Sequence, residues 1–381
     1  MISVDQSNRW LFSAYYGGAC IAVHAIALDG TLSEAPVAHV RTATGCHWAG
    51  TDPANRHCIS PCIARSADGS GSFNNGDEMH CMTFHCYTQR ISSCLNTYTY
   101  RYQHHCEPAG KGRGWGGGGV HRTVTVTSTL QLIGNRVFVH RFDARTGALT
   151  SASEIKPPQP PASGGGEECD GRNRFGNLNE HGPRHVAFHP TINAPQLMYT
   201  SDEQANTVST WTLTSDARLE HWHSAEMLPL NFSWPNKRAD NFGSMAAEIV
   251  VHPSGRCLFA SNRHIGSCRP DDPSWTPSNA VAQTVSCFEI GKATGRLLPE
   301  SEAHQLVLPH APESLALDEG GGLLFAAGMD STGHGQLSVC VLPADDPGRP
   351  RHVQTLALGP GCMPGMIRAI ELPHTAVVAR L

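Results

Sequence analysis

The sequence predicts an all-β chain assembled by repetition. Three observations carry this: dense turn punctuation, alternating apolar runs around tight turns, and recurrence of one strand pattern. The 381 residues include 38 glycines and 26 prolines, which suits short strands joined by turns better than long helices. The clearest repeat is an apolar, β-branched run, a tight turn and a Leu-led strand. It reads Cys20–Ile26 with Asp29-Gly-Thr-Leu32, then Arg136–Phe142 with Thr146-Gly-Ala-Leu149. It returns as Thr207–Leu213 with Asp216-Ala-Arg-Leu219, and as Thr284–Ile290 with Thr294-Gly-Arg-Leu297. A fifth copy, Gln336–Leu342, has a looser Pro-Gly turn after it. Alternating apolar residues around a D-G or T-G turn are the hairpin signal.

A second strand precedes each hairpin, as Trp10–Tyr16, Leu197–Glu203, Cys257–Arg263 and Leu323–Met329. A third comes just before it, as Arg184–Pro190, Glu248–Pro253 and Glu313–Asp318. Each unit is therefore four short strands over roughly 50–75 residues, the period and strand count of β-propeller blades. Taking Ile21, Val137, Val208, Val285 and Leu337 as equivalent, the steps are 116, 71, 77 and 52. The first step is too long for one blade.

The excess falls where the composition changes. Seven of the 14 cysteines (Cys46, Cys58, Cys62, Cys81, Cys86, Cys94 and Cys106) lie within residues 46–106, with His47, His57, His80, His85, His104 and His105. Thiolate and imidazole are zinc's ligands, but the Cys58–Cys62 spacing and the His80-Cys81 and His85-Cys86 pairs lack a paired C-x-x-C pattern. No metal or cofactor is expected. Residues 87–131 have little apolar periodicity and read as an insertion foreign to the blades. His80–Phe84 looks like the start of a blade whose second strand is interrupted. The expected organisation is a single propeller over 1–381, with this insertion and a flexible Pro/Gly-rich loop at 156–166.

Charge and hydropathy narrow the function. The net charge of −5 argues against nucleic-acid binding through counterion release. No apolar run reaches the ~18 residues that span a bilayer. Met1–Trp10 carries Asp5, Asn8 and Arg9 and lacks an apolar signal core, so a cytoplasmic location with reduced cysteines is expected.

The segments Gly182–Pro190, Ala246–Arg256, Leu258–Arg263 and Leu324–Ser331 together resemble the lactonase family of seven-bladed β-propellers. That family includes propeller-type 6-phosphogluconolactonases and carboxymuconate lactonizing enzymes. The resemblance covers about 1–45 and 132–370 and shows five repeats where the family has seven blades. It implies a small-molecule lactone or muconate as partner, and His, Glu and Arg side chains as active-site groups.

Strand geometry brings innermost-strand starts and second-strand ends to one face of a propeller. Arg184, His185, Glu248 and Glu313 sit at the former; Glu203 and Arg263 sit at the latter. Lactone hydrolysis needs a base to activate water and a cation for the developing oxyanion. The expected catalytic residues are His185 as base, Glu248 to orient it or exchange its proton, and Arg263. Arg184, Arg238, Glu203 and His80 are the expected substrate-binding residues, Arg184 and Arg263 being candidate anion clamps. Pro312-Glu313 departs from the Pro-Arg that the family often has there, which weakens the case for a doubly anionic substrate. His189 and His252, each before Pro in the same turn, are expected to be structural. A non-catalytic binding propeller remains the alternative from another class.

Overall fold

The computed structural model describes residues 1–63, 99–102, 122–125, 134–158, 180–193, 195–228, 244–264, 283–298, 304–330, 332–360, 362 and 364–369. The described elements are all strands. They form five four-stranded antiparallel sheets and one separate hairpin. The first sheet contains β1 (Ile2–Val4), β2 (Trp10–Tyr15), β3 (Cys20–Ala25) and β4 (Ala38–Arg41). The second contains β5 (Gly50–Thr51), β6 (His57–Cys62), β9 (Arg136–Asp143) and β10 (Ala148–Ile155). Strands β7 (Thr99–Tyr102) and β8 (Arg122–Thr125) pair with each other and, among the described residues, with no other strand.

The third sheet is β11 (Pro183–Asn193), β12 (Gln196–Asp202), β13 (Thr207–Leu213) and β14 (Leu219–Glu226). The fourth is β15 (Ser244–Val251), β16 (Cys257–His264), β17 (Thr284–Glu289) and β18 (His304–Val307). The fifth is β19 (Ala311–Leu317), β20 (Leu323–Met329), β21 (His334–Val341) and β22 (Arg351–Pro360). Among the described residues no helix is long and apolar enough to cross a membrane.

The five sequence repeats are thus the third strands of five consecutive blades. The long first step lies inside the second blade, because β6 pairs directly with β9, from His57 opposite Arg141 to Cys62 opposite Arg136. The chain leaves that hairpin after Cys62 and returns at Arg136. Residues Arg65–Ile133 form a compact unit of their own, and Met1–Ala64 with Gly134–Leu381 form the other. Residues 46–62 therefore belong to a blade, beyond the residue 45 at which the family resemblance read from the sequence ends. His80–Phe84 and residues 159–166 of the Pro/Gly-rich loop lie outside the described residues.

Apolar side chains alternate into the gaps between neighbouring sheets, and one cluster fills each gap. Trp10, Phe12, Ile21, Phe138 and Phe142 join the first two sheets, and Cys46, Cys58 and Cys62 pack in the same cluster. Ile59, Val137, Val139, Met198 and Trp211 join the second and third. Tyr199, Val208, Ile249, Leu258 and Phe288 join the next pair. Phe259, Val285, Leu315, Leu324 and Cys340 join the last. Truncating one of the large side chains would cost about 3–5 kcal/mol, so each gap resists separation of its blades.

Polar atoms in these gaps are also used across blades. The Tyr199 hydroxyl donates to the Gly295 carbonyl at 2.7 Å, and the Trp10 indole donates to the Ala144 carbonyl at 2.9 Å. Two histidines make a repeated link. His189 Nε2 lies 3.1 Å from the Gly255 carbonyl in the fourth sheet's turn, and His252 Nε2 lies 2.8 Å from the Gly321 carbonyl in the fifth. Both are buried. They are blade-to-blade struts, as expected from their place before Pro.

The strut explains the glycine it meets. Gly321 has φ +69°, and a Cβ there would lie 2.5 Å from His252 Nε2. Gly321→Ala is therefore expected to lose about 1–3 kcal/mol from backbone strain and the displaced histidine. Urea denaturation checks this: an unchanged midpoint would mean that the turn adapts without cost.

Candidate functional site

The innermost strands of the third, fourth and fifth sheets share a local irregularity. In β11, Pro183 pairs with Asp202 and His185 with Ser201, which leaves Arg184 as an extra residue. In β15 the shift falls between Ala246 and Ile249, around Glu248. In β19 it falls between Pro312 and Ser314, at Glu313. A bulge inserts one residue and re-aims its side chain. Three bulges at corresponding positions bring together charged side chains that a regular pleat would alternate between faces.

These side chains make two connected groups. In the first, Arg184 and Arg263 lie between Glu203 and Glu313. Arg184 Nε is 2.9 Å from Glu203 Oε2, and its Nη2 donates to Glu313 Oε1 at 2.5 Å. Arg263 Nη2 donates to Glu203 Oε2 at 2.8 Å, and its Nη1 donates to Glu313 Oε2. Each carboxylate thus holds both arginines. Arg184 is only 3% exposed; burying a guanidinium there is tolerable because opposite charges surround it. Burial works against ionisation of Glu313, yet Arg263 and Arg184 outweigh it and hold its pKa below the usual carboxylate range. Arg184 Nη1 and Arg263 Nε are buried and make no hydrogen bond among the described residues.

The second group is a chain of rings. Glu248 Oε1 lies 2.6 Å from His185 Nδ1, and His185 Nε2 lies 2.9 Å from His47 Nδ1. The two imidazole centroids are 4.9 Å apart. Glu248 is held in turn by its own N–H donating to Ser261 Oγ and by the Ile249 N–H donating to its Oε1. His185 is 1% exposed. Burial pulls its pKa down; Glu248 opposes and Arg184 adds to the depression. His47 is pulled well below the ordinary value, first by burial and then by Arg184, His185 and Arg263.

The structure therefore gathers Arg184, His185 and Glu203 from the third blade with Glu248 and Arg263 from the fourth. Arg263 pairs with Glu203 and Glu313; it does not pair with Glu248. Glu313, which departs from the expected cation, is the residue that ties both arginines together. Arg238 and His80 lie outside the described residues. His47 was not among the expected site residues. Its signal is present: it precedes Asp52-Pro53 by the same interval that separates Arg184 from His189-Pro190. The Cys/His-rich surroundings hid that correspondence.

No group of three His, Cys, Asp or Glu side chains among the described residues is placed to hold a metal ion. The described cysteines carry free thiols. Burial pushes Cys257 up to about 12 and Cys340 up to about 11, as expected of core thiols.

The lactonase family, described as a seven-bladed β-propeller, matches residues 1–64 and 132–338. The chain belongs to this family. The matched stretch includes residues 46–64, in accord with the second blade seen here, and stops on both sides of the separate unit. Two curated relatives are the 6-phosphogluconolactonases of Pectobacterium carotovorum, 42% identical over 62 residues, and Pectobacterium atrosepticum, 40% identical over 62 residues. Each alignment covers 16% of this chain and 18% of the relative, so the match spans under a fifth of those proteins. Among solved structures, a candidate 6-phosphogluconolactonase from Bacteroides uniformis superposes with a TM-score of 0.54 at 14% identity. That match covers 95% of this chain and 71% of the other. A Lactobacillus plantarum protein gives 0.51 at 13% identity, covering 94% and 71%. At such identities the likeness is one of fold.

Glu313→Gln tests the charge cluster. It leaves Arg184 and Arg263 undercompensated and is expected to cost about 2 kcal/mol at pH 7. This is less than the 3–5 kcal/mol of a fully buried pair, because Glu313 is 27% exposed. A carboxylate with a depressed folded pKa stabilises above its unfolded value of about 4.5 and loses that contribution as pH falls through the folded value. The gap between wild type and variant should therefore close in acid. A gap that stays constant from pH 7 to pH 3 in thermal melts would show that charge pairing is not its source.

Proposed function

We propose that the protein hydrolyses a sugar lactone without forming a covalent enzyme intermediate. The observation that carries this is the Glu248–His185–His47 chain beside Arg184 and Arg263, each of which keeps an N–H that no described residue accepts. Hydrolysis requires an acceptor for a proton of the attacking water and donors for the carbonyl oxygen as it becomes an oxyanion. The ring chain supplies the acceptor. Arg184 Nη1 and Arg263 Nε supply donors that no described residue uses. Family membership and the names of the Pectobacterium relatives support the same reaction class.

The charges bear on substrate choice. Among the described residues the two groups together carry two arginines and three carboxylates, Glu203 and Glu313 on the arginines and Glu248 on His185. A dianionic phosphate gains little attraction from such a cluster. A carboxymuconate, which brings several carboxylates, gains less still. The same compensation supports the second reading, a propeller that binds without catalysis, because both arginines are already paired.

The test is hydrolysis of glucono-δ-lactone and its 6-phosphate by the purified chain, with the spontaneous rate subtracted. A saturable rate is expected, with a KM for the phosphorylated lactone no lower than for the neutral one. Glu248→Gln and His185→Ala are each expected to reduce kcat by about 100-fold or more. A background rate from protein that melts cooperatively would favour the binding propeller.

A further inference from the structure

We propose that His47 Nε2, and not a nitrogen of His185, takes the proton from the attacking water, with His185 and Glu248 acting behind it as a relay. This rests on the lactone-hydrolysis reading. The argument begins with hydrogen-bond capacity. Both ring nitrogens of His185 are engaged, Nδ1 with Glu248 and Nε2 with His47. The residue is 1% exposed. It has no free nitrogen to offer a water molecule.

The directions of the bonds follow from the groups. A carboxylate only accepts, so His185 Nδ1 carries the proton and donates to Glu248. In the neutral ring His185 Nε2 is then a lone pair. The neighbouring His47 Nδ1, 2.9 Å away, must be the donor. That fixes the His47 tautomer and leaves its Nε2 as a lone pair. His47 is only partly buried, and its Nε2 makes no hydrogen bond to any described residue. Glu248 thus sets the tautomer of a ring it does not touch.

The cluster also gives the relay a direction. Arg184 and Arg263 both disfavour positive charge on His47. When His47 Nε2 accepts a water proton, the Nδ1 proton can pass to His185 Nε2. His47 is then neutral again, and the charge sits on His185 against the Glu248 carboxylate. The hydroxide oxygen bonds to the lactone carbonyl carbon while the carbonyl π pair moves onto oxygen. On collapse the ring C–O bond breaks, and the leaving alkoxide takes the proton back through the same rings. The balance is lactone plus water to hydroxy acid, with the protein restored.

Two measurements test this. The first is kinetic, on full-length His47→Ala and His185→Ala whose melting matches wild type. His47→Ala is expected to lose about 100-fold or more in kcat with little change in KM. Free imidazole should restore part of the rate in His47→Ala, where the position reaches solvent, and none in His185→Ala, where it is buried. Wild-type kcat in His47→Ala would overturn the proposal even if lactone hydrolysis stands. The second uses the unsubstituted protein, labelled with ¹⁵N-histidine. A nitrogen–nitrogen coupling across the hydrogen bond should identify the His47–His185 pair, with the proton on His47 Nδ1. A proton on His47 Nε2, or no such coupling, would overturn the relay. This readout needs no turnover, so it decides the relay even if wild type hydrolyses no lactone and the parent reading falls.

Discussion

Two guanidinium groups, those of Arg184 and Arg263, are withdrawn from water between the carboxylates of Glu203 and Glu313. An isolated buried charge would cost several kcal/mol even after relaxation, and four interleaved charges offset most of that cost. The arrangement imposes a geometric condition. Arg184 and Glu203 belong to the third sheet, Arg263 to the fourth and Glu313 to the fifth. Their contacts exist only if the three blades keep their relative height. The cluster therefore acts as a gauge of blade position as well as a local charge balance.

The apolar gaps make that condition attainable. Trp211, Tyr199 and Phe259 fill the spaces between successive blades, and the His189 and His252 struts fix one edge of the third–fourth and fourth–fifth contacts. Apolar packing resists separation but tolerates small slides, since dispersion contacts are many and weak. Hydrogen bonds between charged groups are directional. Packing supplies most of the cohesion, and the polar struts and ion pairs set the register. The bulges at Arg184, Glu248 and Glu313 belong to the second task.

The separate unit, Arg65–Ile133, leaves from and returns to one hairpin of the second blade. Cys62 and Arg136, the residues flanking it, remain paired as neighbours in the ladder. Loop-closure entropy grows only slowly with loop length, so a long excursion between two already paired strands is thermodynamically cheap. This explains how the second blade keeps its four strands, and why the first repeat step is long.

Strand content, the hairpin turns and the five repeats that appear as blades among the described residues were legible in the sequence itself, because alternation and turn chemistry are local. So was the role of His185, Glu248, Arg184, Glu203 and Arg263 as strand-end residues of one face. The tertiary structure decided their partners. Nothing in the sequence distinguishes Arg263 paired with Glu248 from Arg263 shared by Glu203 and Glu313, since the choice depends on side-chain reach across blade gaps. The resemblance read from the sequence stops at about residue 45 because the Cys- and His-rich composition of 46–62 hides a blade pattern; burial shows those cysteines to be core. His47 was missed with them. Its hydrogen bond to His185 joins positions 138 residues apart, and a contact of that range exists only once the blades have packed.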